Sequence, residues 1–374
     1  MRELPLARGR SGDSIGAFES EKQEKEVFMV LKKVWAFAAA MALSAFMLAS
    51  CASGGASAPS TGTEEGASAE AAAPVDVRAV ALKGPTAMGL VKFMDQVDKS
   101  EATDNNYSFD IAASVDEVVP KIAKGEVDIA AVPANLASVL YNNTNGEVRV
   151  LAINTLGILY ICETGNSVQT AADLKGKTIY AAGKGATPEY ALSYILESNG
   201  LVPGQDVTIE WKSEHAECIA AMAQNPDAIA MLPQPFVAAA QAKNADIRVA
   251  LDLTKEWDAL QKDASAPSAL VTGVAVARAS FIEENPQAVQ AFMEHYRESV
   301  DFVNANVDQA AALVGSYDIV PEGVAKKALP GCNIVFLSGS DMKDKLSGYL
   351  NVLSQQNPQS VGGSLPADDF YYGA

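Results

Sequence analysis

The residues best placed to do chemistry in this chain are few, and they gather at one kind of junction. Gly183-Lys184-Gly185-Ala186-Thr187-Pro188 follows Thr178–Ala182 and precedes an apolar-periodic stretch that reaches Leu196. The run before the glycines, small, β-branched and aromatic, reads as a buried strand. The glycines give the backbone access to positive φ, Thr187 is placed to cap a helix, and Pro188 opens that helix where a missing N–H costs nothing. Such a strand–glycine–helix turn leaves backbone N–H groups at the end of a sheet, where an anionic or polar ligand can sit. Most strand-to-helix turns in α/β proteins bind nothing, so the turn needs company before it counts as a site.

Catalytic and metal-binding patterns do not supply that company. The chain has two histidines, His215 and His295, and three cysteines after Cys51: Cys162, Cys218 and Cys332. They show no metal-ligand spacing, and the sequence has no Gly-x-Ser-x-Gly elbow and no phosphate-binding lysine loop. No catalytic residue, metal or cofactor is therefore expected. The cysteines read as buried free thiols, with one disulfide outside the cytoplasm as the alternative. His295, in A-F-M-E-H-Y-R-E-S-V, reads as a solvated residue of an amphipathic helix.

The company comes from an internal echo. Residues 77–94, V-R-A-V-A-L-K-G-P-T-A-M-G-L-V-K-F-M, repeat the order strand, glycine, helix begun near proline. A shift of 99 places Val80 on Ile179 and Gly84 on Gly183, and carries Asp110–Ser114 onto Ile209–Ser213. With one extra residue, Asp128–Pro133 falls on Ala228–Pro233, and an apolar helix follows in each case (134–140 and 236–242). Each copy is then β-α-β-α-β-α, the alternation that builds a parallel sheet with helices on both faces. Ligands of open α/β sheets bind at the carboxyl ends of the strands, and two such edges facing one another make a cleft.

Val148–Ile161 reads as a strand leaving the first lobe for the second, and Ala269–Ala277 as the strand that carries the chain back, after Ile247–Leu251 and a polar segment 254–268. Two crossings make a hinge on which lobes can close. Helical spacing at 286–304, 307–315, 321–328 and 341–354, interrupted by Ile334–Leu337, assigns the remainder to the outside of the first lobe. The expected organisation is 75–160 with 265–374 as lobe one and 161–264 as lobe two.

Before residue 75 the text changes character. Lys32 and Lys33 precede an apolar run Val34–Met47 and then Leu48-Ala49-Ser50-Cys51. A basic start, an apolar core and small residues before a cleavage point describe a secretory signal, while the 16 residues Val34–Ala49 are short for a membrane span. Residues 29–50 are thus expected to be a signal peptide starting at Met29, with 1–28 an over-extended start. Residues 51–74, without a branched aliphatic or aromatic side chain until Val75, read as a flexible tether. The chain from Cys51 onward carries 21 Lys and Arg against 40 Asp and Glu. That surface repels nucleic acid and gains nothing from anionic lipid, which excludes both as partners.

With these residues assembled, the chain resembles a known family. Leu-Ala-Ser-Cys at 48–51 resembles the lipobox of bacterial lipoproteins, whose cysteine is lipid-modified. T-A-A-D-L-K-G-K-T-I-Y at 170–180, G-E-V-D-I-A-A-V-P at 125–133 and A-V-A-R-A-S-F-I-E-E-N-P at 275–286 resemble substrate-binding proteins of ABC importers in the nitrate/sulfonate/taurine group, which includes binders of thiamine-pyrimidine precursors. The resemblance covers nearly all of 75–374. It implies a type II periplasmic-binding fold, α/β with two lobes, and a monomer that is anchored through Cys51 to the outer face of the cell membrane. It implies a small-molecule ligand and an ABC permease as partners. It also implies that the ligand, a sulfonate- or nitrate-type anion or a small heterocycle, sits on the echoed junctions. Carried over, the positions are Gly84, Pro85, Thr86, Ser114, Pro133, Ala134, Asn135 and Thr155 in lobe one. In lobe two they are Gly185, Ala186, Thr187, Ser213, Glu214, His215, Pro233, Gln234 and Pro235. The prolines read as helix starters, and Ser114 with Glu117 reads equally as a capping box. These junctions carry no arginine, only Lys83, Lys184 and Lys212 beside them. Some relatives of the fold are enzymes acting on vitamin or quinone precursors, which leaves catalysis as the alternative function.

Overall fold

The structure is a computed structural model, and it describes residues 73–225, 227–262 and 268–374. The expectations for 1–28, for the signal segment 29–50, for Cys51 and for the tether as far as residue 72 fall outside the described residues.

The first echo folds as β1 (Asp76–Leu82), α1 (Pro85–Met88), α2 (Val91–Asp98), β2 (Asn106–Ala112), α3 (Val115–Ala123), β3 (Ile129–Pro133) and α4 (Ala134–Asn143). Strands β4 (Val148–Leu156) and β5 (Leu159–Glu163) lead to the second echo. That echo is β6 (Thr178–Ala182), α5 (Thr187–Ser198), β7 (Thr208–Lys212), α6 (His215–Gln224), β8 (Ile229–Pro233) and α7 (Phe236–Lys243). Then follow β9 (Arg248–Asp252), α8 (Leu253–Gln261), β10 (Val271–Arg278), α9 (Ala279–Glu284), α10 (Pro286–Ala305), α11 (Val307–Ser316), α12 (Glu322–Ala328), β11 (Ile334–Leu337) and α13 (Gly339–Gln356).

The strands form two sheets, in the order β11-β4-β10-β3-β1-β2 and β7-β6-β8-β5-β9. In each, the three echoed strands are parallel: β1 pairs with β2 and β3, and β6 with β7 and β8. The strands that carry the chain between sheets pair antiparallel, β10 with β3 and β4, and β5 with β8 and β9. Central β8, Ile-Ala-Met-Leu-Pro, is buried along its whole length, as a strand covered by helices on both faces must be. The result is a mixed α/β fold of two lobes.

The expected single crossing strand is broken at Gly157-Ile158 into β4 and β5. A side chain at Gly157 would put its Cβ 2.1 Å from Thr254 Oγ1 and 2.8 Å from the Leu270 side chain. Helix α8 and Leu270, just before the second crossover strand, pass so closely here that any side chain would force them to shift. The polar segment 254–268 begins as helix α8, capped by the Asp252 carboxylate, which accepts from the Thr254 and Lys255 N–H groups. Its Trp257 is fully buried, with the indole N–H donating to Ser268 at 3.1 Å.

Two further expectations change. His295 is not a solvated helix residue: its ring stacks on Phe93 at 4.8 Å, and Nε2 lies 2.9 Å from the Asp104 carboxylate. The carboxyl-terminal helices do not stay on the outside of the first lobe. Helix α13 packs on α5 and α12 on α7, so this segment reaches both lobes. Helical spacing shows which face of a helix is apolar but not which neighbour covers it. Cys162, Cys218 and Cys332 are buried free thiols, and burial pushes the first and third up to about 12.

Candidate functional site

Sheet register brings the echoed junctions to two edges. In the first lobe Leu82 lies beside Ala112, and Gly273 of β10 lies beside both Pro133 and Thr155. In the second, Ala182 lies beside Lys212 and Leu159 beside Pro233. Counting outward from the crossover strands, β3, β1 and β2 on one sheet correspond to β8, β6 and β7 on the other. Gly84–Thr86, Ser114 and Pro133–Asn135 therefore lie at the carboxyl ends of the strands of one sheet. Gly185–Thr187, Ser213–His215 and Pro233–Pro235 follow, or in Pro233 complete, the corresponding strands of the other.

Two glycine turns are open on the side a Cβ would occupy. Gly84 has φ +129° and Gly185 φ +78°, and a Cβ at either would meet nothing within 4 Å. Gly183 differs: at φ +89° its Cβ would lie 2.7 Å from Pro188 Cγ, so it is needed for packing of the turn on its own helix. Pro85 is the first residue of α1, while Pro133 and Pro235 precede α4 and α7 at the cap position; all three act as helix starters.

Several side chains assigned to a ligand are engaged elsewhere. Thr187 does not cap α5; it is the first helical residue, with Ala186 at the cap position. Its buried hydroxyl accepts from Tyr349 at 3.0 Å and donates to Asn135 Oδ1 at 3.4 Å, and Asn135 Nδ2 reaches the Ser360 carbonyl at 3.4 Å. Thr187 and Asn135 thus tie the walls to one another. Thr86 is buried and donates to the Leu82 carbonyl at 2.8 Å. Thr155 is buried and donates to Asn154 Oδ1 at 3.0 Å. Ser114 occupies the cap position of α3 but makes no side-chain cap bond; instead Glu117 reaches the Ala113 N–H at 3.4 Å and the Ser114 hydroxyl at 3.5 Å. Neither half of the expected capping box forms, because Glu117 accepts from the N–H one residue before the cap. Likewise the Glu189 carboxylate accepts from the Gly185 N–H at 2.5 Å. Gln234 accepts from the Ala238 N–H at 3.3 Å.

The groups left over define what the cleft can do. Ser213 and Glu214 are exposed at the start of α6. His215, the first residue of α6, packs against Phe236, the first residue of α7, with ring centroids 4.9 Å apart. Its Nδ1 is buried without a partner, and burial pushes the imidazole down to about 4. It is a neutral hydrogen-bonding ring at pH 7. Of the three lysines beside the edges, Lys83 pairs with Asp318 at 3.2 Å and Lys212 with Glu210 at 3.1 Å. Lys184 is exposed with no ion pair among the described residues. The arginines lie elsewhere: Arg78 and Arg278 on Asp128, Arg149 on Asp369 and Arg248 on Glu163. Arg297 lies over Phe336.

Sequence reasoning missed Phe236, Asn154, Gly273, Tyr160 and Tyr349. Asn154 is buried beside Thr155, and a side chain at Gly273 would run into both Asn154 and Thr86, at 2.5 and 2.7 Å. The Tyr160 hydroxyl donates to the Gly331 carbonyl at 2.9 Å across the lobes. Phe236 was legible as a helix start next to Pro233 and Pro235; the others depend on chain segments far apart in sequence.

Two lobes with facing strand-end edges and two crossovers define the type II periplasmic-binding class. A profile of the family described as "ABC transporter, phosphonate, periplasmic substrate-binding protein" matches residues 96–315, more than half of the chain, and the chain belongs to that family. It is similar in structure to an ABC transporter protein from Parabacteroides distasonis, with TM-score 0.66 and 22% identity over 79% of this chain and 98% of that one. It is also similar to the periplasmic aliphatic sulphonate binding protein SsuA from Escherichia coli, with TM-score 0.63 and 17% identity over 79% and 93%. The alkanesulfonate-binding protein SsuA from Xanthomonas axonopodis pv. citri, bound to MOPS, gives 0.56 and 15% over 79% and 96%. At these identities the structural likenesses carry the fold alone. No curated protein sequence matches the chain.

Proposed function

We propose that this protein is the monomeric, lipid-anchored receptor of an ABC importer, held on the outer face of the cell membrane through Cys51. In this reading it captures a small solute between its two lobes, delivers it to a membrane permease and catalyses no reaction. The observation that supports this best is the pair of open glycine turns, Gly84 and Gly185, on corresponding strands of two facing edges. Around them stand exposed Ser114, Ser213 and Glu214 and the neutral His215 ring. Closure of the lobes would desolvate the ligand between these groups, which is how a shallow edge becomes a tight site.

The solute class follows from the relatives and from the cleft together. Sulphonate and phosphonate in the relatives' descriptions favour a small oxyanion. The absence of arginine at the edges, with carboxylates on the Gly185 and Ala113 N–H groups, keeps a small heterocycle as the second reading. Native mass spectrometry of freshly purified 75–374 tests for a co-purified small molecule. Thermal unfolding with ethanesulfonate, methylphosphonate, nitrate and 4-aminopyrimidine then ranks the classes. One-to-one stabilisation without turnover is the expected result, and conversion of a bound solute to product would overturn the receptor reading.

A further inference from the structure

The lobes meet on two flanks, and the flanks are built differently. On the α5–α13 flank the apolar core runs without a break from one lobe into the other. Ile153 and Val274 of the six-stranded sheet, Ile179 and Ile195 of the second lobe, and Trp257 and Tyr349 share one buried cluster. Trp257 and Tyr349 are both fully buried, with ring centroids 5.7 Å apart. Polar ties cross the same seam: Tyr349 donates to Thr187 at 3.0 Å, Gln356 to the Tyr190 carbonyl at 3.2 Å, and Asn357 to the Tyr190 hydroxyl at 3.2 Å. On the α7–α12 flank the cores are separate. There the first lobe's cluster takes Ala238 as its one fully buried residue from the second lobe, among the described residues, and α6 and α7 keep a cluster of their own.

We propose that the α5–α13 seam is a fixed pivot, and that Tyr349 and Thr187 are its positioning residues rather than ligand contacts. The lobes rotate about this seam and the crossovers beside Gly157, while the edges bearing Ser114, Gly84, Gly185 and Ser213 part and close. Parting the seam would expose a continuous apolar surface and strip buried hydroxyls of their partners. Parting the edges breaks less: an added Cβ at Gly84 or Gly185 would meet nothing within 4 Å, and the polar tie lost on the α7–α12 flank is the Tyr160–Gly331 hydrogen bond. An inter-lobe surface that is large and apolar behaves as one rigid body, and rotation is left to the few residues that border it. The chain therefore has a third connection between its lobes, made through space by α13, in addition to its two covalent crossings.

This inference rests on the reading of the chain as a closing receptor, and two cross-links separate the two claims. Glu197 and Gln355 are exposed and line the same groove between α5 and α13. The double variant Glu197→Cys, Gln355→Cys, bridged by a bis-maleimide, locks the seam. Ser114→Cys with Ser213→Cys, bridged in the same way, locks the mouth. Cys162, Cys218 and Cys332 are buried and will not compete, and Cys51→Ser in both variants removes the fourth thiol. Small-angle X-ray scattering of the full ligand-free chain is the measurement. The mouth lock should lower the radius of gyration relative to the unbridged protein, and the seam lock should leave it unchanged. If the seam lock compacts the protein as the mouth lock does, the pivot is wrong while the receptor reading stands. If the mouth lock changes nothing, the lobes do not rotate, and both the pivot and the closing receptor are refuted.

Discussion

Acidification from pH 7 to pH 5 should destabilise this protein through His215 in particular. The ring is wedged at the start of α6 against Phe236, its Nδ1 has no partner, and burial lowers its pKa to about 4. The unfolded chain accepts the same proton near pH 6.5. The His215 contribution is therefore fully present above pH 6.5 and is lost as the pH falls from 6.5 toward 4, because protons then favour the unfolded state. Taken at face value, the shift corresponds to about 2 kcal/mol lost between pH 7 and pH 5. The ring is only partly enclosed, and solvent screening lowers the expectation to about 1 kcal/mol. Urea unfolding of wild type and His215→Gln at pH 7, 6 and 5 isolates this residue, since all other titrating groups are common to both. The stability difference between the two proteins should shift by about 1 kcal/mol toward the variant over this range. Parallel pH dependences, or an imidazole that titrates near 6.5 by NMR, would refute the reasoning.

The two cleft glycines should respond unequally to alanine. Gly183→Ala must force a Cβ to 2.7 Å from Pro188 in addition to a left-handed backbone, so it should cost clearly more than the roughly 1–2 kcal/mol of backbone strain expected for Gly185→Ala, which meets no atom; equal losses in thermal unfolding would contradict this. Thr187→Val and Tyr349→Phe remove the same 3.0 Å bond. Each should cost about 1 kcal/mol, and the double variant little more than either; additive losses in denaturant titrations would show that the bond is not shared. Burial raises the Asp128 carboxyl, but the Arg78 and Arg278 guanidinium groups outweigh it and hold it below the usual carboxylate range. Its contribution is present above the unfolded value and is lost as pH falls through the folded one. Asp128→Asn should cost about 3 kcal/mol at pH 7 by leaving two guanidinium groups facing a neutral amide, and less in strong acid; a loss that does not change with pH would refute the pairing.

The sequence by itself determined the local elements and their order. Strand–glycine–helix units at 77–94 and 178–196 were legible because glycine, proline and apolar periodicity act within a few residues. The constant offset of about a hundred residues made the two lobes legible for the same reason. Helices 286–305, 307–316 and 322–328 likewise fall where periodicity places them, and the interruption at 334–337 is a strand. Thr187 shows where that reasoning stops. Locally it is an ideal cap residue, yet its hydroxyl is claimed by Tyr349, 162 residues away, and by Asn135, 52 residues away. His295 was read as solvated because its own helix is amphipathic, but Phe93 and Asp104 arrive from a different part of the chain to cover it. Glu189 sits on the Gly185 N–H and Glu117 on the Ala113 N–H, donors that strand-end turns would otherwise offer a ligand. Those two carboxylates are local, four residues along the chain; which side-chain hydroxyls stay free, and which flank between the lobes is sealed, are properties of contacts between distant segments. Only tertiary packing decides them, because a hydrogen-bonding group has a few partners to give and the nearest in space are seldom the nearest in sequence.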